Sequence, residues 1–342
     1  MGCRSLSRRV TGMVDPLDRP SPVVELDAVV PREFHGRRVD WVATRLFHDS
    51  DREDGTVVSR SELTRWIRAG LVSLDDRAVK PKTAVAAGQR IRLRAERLPR
   101  FDWSAAEALA FGVVYEDPDI LVVDKPAGLV VHPGAGNPRG TLVNGLLRHR
   151  PALRELPRAG LIHRLDKDTS GLMVVGGNES SLQRLLADMH ARRIERSYLA
   201  VVEGVVGADR RIDFAIGRDR RNRLRQSVRS DGRAAVTHVL VKTGFSAHTL
   251  VEAQLETGRT HQIRVHMASI GHPLVGDRRY GARRAVPARG TQADAEVVRH
   301  FPRQALHAYR LAFTHPASGE NVAFRSDLPE DMRCLLGALE AY

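Results

Sequence analysis

At 342 residues the chain has material for two or three domains of roughly 150 residues each. With 42% hydrophobic and 28% charged residues it can build a buried core, which excludes a mostly disordered chain, and no apolar run approaches the ~18 residues of a membrane-spanning helix. The formal net charge of +13, from 54 Lys+Arg against 41 Asp+Glu, calls for an anionic partner, and nucleic acid is the usual one. Lysine occurs only five times, so arginine supplies 49 of the 54 cations. A coding bias toward arginine accounts for that ratio but not for the net surplus.

Residues 1–24 read as a disordered leader, with Met13 as an alternative start. Met1 to Leu6 has Leu where a myristoylation signal needs Ser or Thr, and no signal-peptide apolar core follows. Cys3 and Cys334 give neither a disulfide framework nor a Cys-x-x-Cys metal knuckle, which fits a reducing, cytoplasmic setting with no membrane attachment.

The first organised unit is expected from about Glu33 to Leu98. Val39, Val42, Ala43, Leu46 and Phe47 repeat at helical spacing, and a polar break from Asp49 to Gly55 follows. Ser59-x-x-Glu62 has the capping-box pattern for a second helix with Leu63, Trp66 and Ile67 on its apolar face and Gly70 at its end. Arg60, Arg65 and Arg68 must then face elsewhere: an RNA-binding face, or simply a solvated one. Short strands are expected at Val72–Leu74 and around Ile91 to Arg94, with a turn at Gly88. Pro99 interrupts the periodicity. The resulting division is 25–98 for a small domain, 99–107 for a linker and 108–342 for a larger one.

In the larger part, strands are expected at Gly112 to Tyr115, Ile120 to Val123, Leu129 to Val131, Leu172 to Val175, Ser197 to Val202, Val236 to Val241 and Thr249 to Glu256. A helix bearing Leu182, Leu185, Leu186 and Met189 should open at Asn178. Residues 282–300 read as a surface loop. Hairpins with interspersed helices favour an α+β fold over a parallel βαβ sheet.

Gly134 to Gly140 is glycine-rich but lacks the spacing of a phosphate loop or a dinucleotide fingerprint. His261 and His266 are five apart, which suits no common zinc pattern, and Ser170 lacks a nucleophile elbow. Two polar blocks remain. One is Gly160-Leu-Ile-His163-Arg-Leu-Asp166-Lys-Asp168-Thr-Ser-Gly171, of which Asp168 to Gly171 read as turn residues. The other is Glu256-Thr-Gly258-Arg-Thr-His-Gln-Ile-Arg264-Val-His266, a strand end passing into a helix that Thr260 could cap. Arg264 lies beside that helix's apolar stripe near its start, where a cation gains nothing from the helix dipole and wants a carboxylate.

These blocks closely resemble the RluA family of pseudouridine synthases, above all its RluD-type members, which modify large-subunit ribosomal RNA. The likeness spans roughly residues 25 to 340. It includes Asp124-Lys-Pro-Ala-Gly128, His132-Pro-Gly-Ala-Gly136, Gly140-Thr-Leu-Val-Asn144, His163-Arg-Leu-Asp166, Gly258-Arg-Thr-His-Gln-Ile-Arg264 and Arg303-Gln-Ala-Leu-His307, all in order. The N-terminal unit resembles the S4-type RNA-binding domain such enzymes often carry. The expected architecture is therefore a small S4-like domain and a larger, mainly antiparallel catalytic domain.

The resemblance implies a cofactor-free isomerisation of uridine in RNA: the N1–C1′ bond breaks, uracil turns, and C5 bonds to C1′. It places Asp166 on the family's essential aspartate, Tyr198 on its active-site tyrosine and Arg264 on the arginine that pairs with the aspartate. Arg164 matches the arginine associated with holding the flipped-out nucleotide, and Leu306 an apolar residue of the pocket. Whether Asp166 attacks C1′ or removes a proton from C2′ stays open at this level. Residues 218–233 hold seven Arg against two Asp, and the family pattern favours an RNA-contacting hairpin here, with Arg220, Arg221 and Arg223 as RNA-binding residues. Here the chain departs from the family, which often has His and Lys in this hairpin. The Lys usual before the tyrosine is Arg196. Ribosomal RNA is the expected partner, with a transfer RNA as alternative, and a monomer is the simplest assembly. Two rivals remain at this level: a catalytically inert RNA-binding assembly factor, and a glycosidase using Asp166 with Glu252 or Glu256.

Overall fold

A computed structural model describes residues 23–48, 60–96, 105–134, 136–281 and 292–340. The chain divides into two compact units, residues 1–101 and 102–342.

The first unit comprises β1 (Val23–Val29), α1 (Val39–His48), α2 (Arg60–Arg68), β2 (Val72–Leu74), β3 (Arg77–Ala78) and β4 (Arg90–Glu96), with an antiparallel sheet in the order β1-β4-β2-β3. β1 lies ahead of the segment in which the sequence suggests the first organised unit, and its period-2 alternation is the reason it forms. Val24 and Leu26 point inward, with Leu26 opposite Leu93 of β4. They meet Val39, Val42 and Ala43 of α1 and Leu63, Trp66 and Ile67 of α2, the two helical stripes read from the sequence. Facing out from β4 are Arg90, Arg92 and Arg94. Arg90 pairs with Asp27 at 2.6 Å, Arg94 with Glu25 at 3.1 Å, and Arg92 with Asp76. Arg65 and Arg68 are exposed on α2, while the side chain of Arg60, most of the leader and the polar break from Asp49 lie outside the described residues.

The second unit is built on β5 (Gly112–Glu116), β6 (Ile120–Lys125), α3 (Leu142–His149), β7 (Ser170–Gly176), α4 (Glu179–His190), β8 (Glu195–Glu203), β9 (Arg210–Asp213), β10 (Ile216–Arg218), β11 (Gln226–Val228), β12 (Val236–Gly244), β13 (His248–Leu255), α5 (Gln262–Ser269), α6 (Gln292–Arg299), β14 (Leu306–Thr314), β15 (Asn321–Arg325) and α7 (Glu330–Glu340). Its nine-stranded sheet runs β5-β6-β7-β14-β8-β13-β12-β9, with β15 paired to β14. Every pair is antiparallel except β7 with β14, which meet at His307–Ser170 and Ala308–Gly171. The unit is α+β, with a mixed, mainly antiparallel sheet.

Both sheet faces are covered. Leu142, Leu146, Met173, Ala200 and Val251 belong to one core, while Ile120, Val174, Leu185 and Phe313 form another. α4 opens at Asn178, whose side chain accepts a hydrogen bond from the Ser181 amide at 2.9 Å. The strand expected at Leu129 to Val131 does not form; Val130 makes a single bridge to Thr141, too little for a ladder. The loop expected over 282–300 also needs correction. Residues 292–299 are α6, whose Val298 packs with Met332 and Leu335 of α7, and residues 282–291 lie outside the described set. α5 is preceded not by a capping Thr260 but by His261 in left-handed backbone, φ +58°. Among the described residues no helix is long and apolar enough to cross a membrane.

Candidate active site

Asp166 sits on the loop that enters β7, and three other parts of the chain fix that loop. Lys125, fully buried at the end of β6, donates to the carbonyl oxygens of Pro126, Leu129 and Lys167 at 2.8, 2.9 and 2.9 Å. Burial pushes its pKa down to about 8, so at neutral pH it keeps all three protons for these bonds. Arg303 donates to the Asp168 carbonyl at 3.1 Å while it is clamped by Asp331, and Gln304 donates to the Thr169 hydroxyl at 3.1 Å. Gly171 closes the loop in left-handed backbone, φ +114°, where a Cβ would stand 2.3 Å from the Ala308 oxygen. Close approach of β7 to β14 therefore depends on that glycine. Lys125→Met should cost about 3 kcal/mol or more, because three carbonyls lose a charged donor at once. Chemical denaturation of the variant checks this, and an unchanged midpoint would show that the clamp is idle.

The guanidinium of Arg264, on α5, donates to Asp166 at 2.9 Å through Nη1 and grips Asp277 through Nε and Nη2 at 2.7 and 2.9 Å. Burial opposes its charge, but the Asp277 and Asp166 carboxylates outweigh burial and raise its pKa above the ordinary arginine value. Asp277 also accepts the Arg279 and Tyr280 amides at 2.9 and 3.1 Å. Burial would raise its pKa, yet the bonds from Arg264 and these amides hold it below the usual carboxylate range. The Tyr280 hydroxyl shares a 2.7 Å hydrogen bond with His261 Nδ1, and His261 Nε2 stands 3.8 Å from Asp166.

Asp166, Tyr198, Arg264, Arg164 and Leu306 line one small hollow. The hollow adjoins a cleft of about 680 Å³, with Arg164, Asp166, Tyr198 and Arg259 lining both. Arg158, Arg192 and Arg196 add to the cleft's positive wall. Tyr198 projects from β8, and burial raises its hydroxyl pKa above the ordinary value.

Arg220, Arg221 and Arg223 are exposed beyond β10, outside the cleft lining. Arg220 pairs with Asp231 at 3.2 Å. The hairpin is nonetheless tied to the site. Gln226 donates its amide to the Tyr280 hydroxyl at 2.8 Å, and Arg225 lies 5.1 Å from that ring. Glu256 lines the cleft but is held by Arg192 at 3.0 Å and His238 at 2.8 Å. Glu252 bonds to Gln254 at 2.9 Å and is not part of the lining.

His163 lies in the cleft wall, with Nε2 accepting the Val174 amide at 3.2 Å, a bond that requires this nitrogen unprotonated. Burial, then the charge of Arg196, pushes its pKa down to about 3. The unfolded chain protonates this imidazole near pH 6.5 and the folded chain does not, so its contribution to stability falls as pH drops from 6.5 toward 3. At pH 5 the expected loss is about 2 kcal/mol, at ~1.4 kcal/mol per pH unit. His163→Gln should remove that slope. Thermal melts of both proteins at pH 7 and pH 5 would show an equal drop if the histidine contributes nothing.

Sequence reasoning missed Asp277, Tyr280 and His261 as site residues. The sequence implies a carboxylate partner for Arg264, and Asp166 is one; no local pattern marks Asp277 as the other. Residues 119–269 match the family model described as RNA pseudouridylate synthase. The chain is 45% identical over 319 residues to the ribosomal large subunit pseudouridine synthase D of Pseudomonas aeruginosa, covering 93% of this chain and 97% of that protein. To the protein of the same name from Xanthomonas campestris it is 46% identical over 312 residues, covering 91% and 92% respectively. Among solved structures, human RNA pseudouridylate synthase domain containing 4 superposes with a TM-score of 0.53 at 25% identity, over 67% of this chain and 93% of that one. On this likeness, and with the expected aspartate, tyrosine and arginine around one hollow, the chain belongs to the RNA pseudouridylate synthase family, in its RluA group and of the RluD type.

Proposed function

We propose that this pseudouridine synthase acts on uridines of large-subunit ribosomal RNA, with Asp166 as the group that meets the ribose. The observation that carries this reading is the Asp166–Arg264 pair at 2.9 Å, beside Tyr198 and opening into an arginine-lined cleft. A carboxylate aimed by a guanidinium can either attack C1′ or take the proton from C2′. Tyr198 offers a ring face to uracil and a hydroxyl for proton movement. Arg164 and Leu306 complete the pocket for an everted nucleotide, whose extrusion costs a few kcal/mol that cationic backbone contacts offset. Those contacts come from the cleft arginines, from Arg220, Arg221 and Arg223 on the hairpin, and from Arg60, Arg65 and Arg68 on the N-terminal unit. The protein works as a monomer in the cytoplasm, without membrane attachment.

An inert assembly factor would have no use for a carboxylate held this way, and the intact Asp166, Tyr198 and Arg264 set argues against it. A glycosidase needs two opposed carboxylates and a sugar groove rich in aromatics. Glu256 is bound to Arg192 and His238, and Glu252 stands off the cleft, so neither serves as the second. A pseudouridine map of ribosomal and transfer RNA, with and without the gene, tests the target. Sites that vanish from the large-subunit RNA support it; sites that vanish only from transfer RNA would replace it.

A further inference from the structure

Arg196 lies two residues before Tyr198 on β8, on the same strand face, and lines the cleft with it. It is only 7% exposed. Among the described residues its Nε has no hydrogen-bond partner and no carboxylate stands within ion-pair distance of its guanidinium. The two cleft carboxylates are already committed, Glu256 to Arg192 and His238, and Asp166 to Arg264. A buried guanidinium without a counter-charge is costly, and such a cost is retained where the charge has work to do. Room has been made for it: a Cβ on Gly258 would lie 2.7 Å from Arg196 Nη1. The charge is felt nearby, since it lowers the pKa of His163 and counters the burial of Tyr198.

We propose that Arg196 is a catalytic residue that stabilises the negative charge on uracil as it leaves the ribose, an inference that rests on the uridine-isomerising reading above. When N1–C1′ breaks, the bonding pair leaves with N1 and spreads to the O2 and O4 oxygens. C1′ is compensated either by a lone pair from Asp166 or by the C2′–H pair as Asp166 takes that proton. The guanidinium donates to the uracil anion until C5 bonds to C1′ and the C5 proton is released. No oxidant or co-reactant is needed. A fixed donor of this kind acts where charge develops, so it speeds the chemical step more than it tightens substrate binding.

An RNA phosphate is the other anion this cation could meet. Phosphates suit the exposed Arg158, Arg164 and Arg192 of the cleft better than a desolvated arginine beside the tyrosine. Uracil enters flat and neutral and becomes anionic only on cleavage, which fits a cation kept from water.

The test compares full-length wild type with Arg196→Met and Arg196→Lys, on large-subunit RNA transcripts containing uridine or 5-fluorouridine, whose departing anion is the weaker base. For Arg196→Met the single-turnover rate should fall about 10²–10³-fold on uridine. RNA affinity should stay within about threefold, and the melting temperature should not drop, because a lone buried charge has been removed. On 5-fluorouridine, followed by chromatography of digested RNA, the loss should shrink about tenfold. Arg196→Lys should restore part of the rate with the same narrowing, and it serves alone if the Met variant fails to fold. An equal loss on both substrates would overturn the proposal, as would a loss explained by weaker, less salt-dependent RNA binding, which marks a phosphate contact. Wild-type inactivity on these transcripts would instead refute the underlying reading.

Discussion

Asp166→Asn should still bind RNA within about threefold of wild type while its single-turnover rate of pseudouridine formation falls by at least ~10⁴-fold. The amide keeps the size of the carboxylate and can still accept from Arg264 Nη1, so the hollow stays formed. What is lost is the anionic oxygen, which the reaction needs whether it attacks C1′ or takes the C2′ proton. Asp166→Ala should be as inactive, because no other described carboxylate lines the inner hollow. Rapid-quench measurement of pseudouridine formation, paired with filter binding, separates the two effects. Turnover retained in either variant would remove Asp166 from its role.

Asp277→Asn should damage both fold and activity. The Asp277 side chain is fully buried and supplies both oxygens to Arg264, with two backbone amides also donating to it. An asparagine turns one acceptor into a donor facing the guanidinium and leaves a buried cation short of its main counter-charge. Breaking such a pair costs about 3–5 kcal/mol, a fall in melting temperature of roughly 10 °C for a unit of this size. Turnover should fall as well, because Arg264 loses the clamp that aims Nη1 at Asp166. The acid side has a defined sign. Asp277 titrates below the ordinary carboxylate value when folded, so its contribution is complete above about pH 4 and declines as pH falls from there toward that lowered pKa. Melts of wild type and variant at pH 7 and pH 3 should show the gap narrowing in acid. A gap that is absent at pH 7 would mean the pair contributes nothing.

Much of the scaffold was legible because periodicity is a local signal. The stripe Val39, Val42, Ala43 and the Leu63, Trp66, Ile67 face fix the two N-terminal helices, and Asn178 marks the start of α4. The Leu129 to Val131 segment fails as a strand although its residues favour one, because no neighbouring chain offers it a ladder. α6 escaped notice because its short helical stripe gains meaning only against Met332 and Leu335 of α7. At the site, Asp166, Tyr198 and Arg264 were readable because their motifs carry them. Their supports were not. Lys125 looks like an ordinary cation until the loop folds over its ammonium, and Asp277 is one acid among 41 Asp+Glu until α5 turns Arg264 toward it. Such roles belong to tertiary contacts over long sequence separations, which no local pattern encodes.

The most direct measurement of the central claim incubates the wild-type protein, without added cofactor, with a large-subunit RNA transcript carrying tritium at uridine C5. Isomerisation must release that label to water, one tritium for each pseudouridine formed, and this release is the predicted result. RNA that is bound by the protein yet keeps all of its tritium would contradict it.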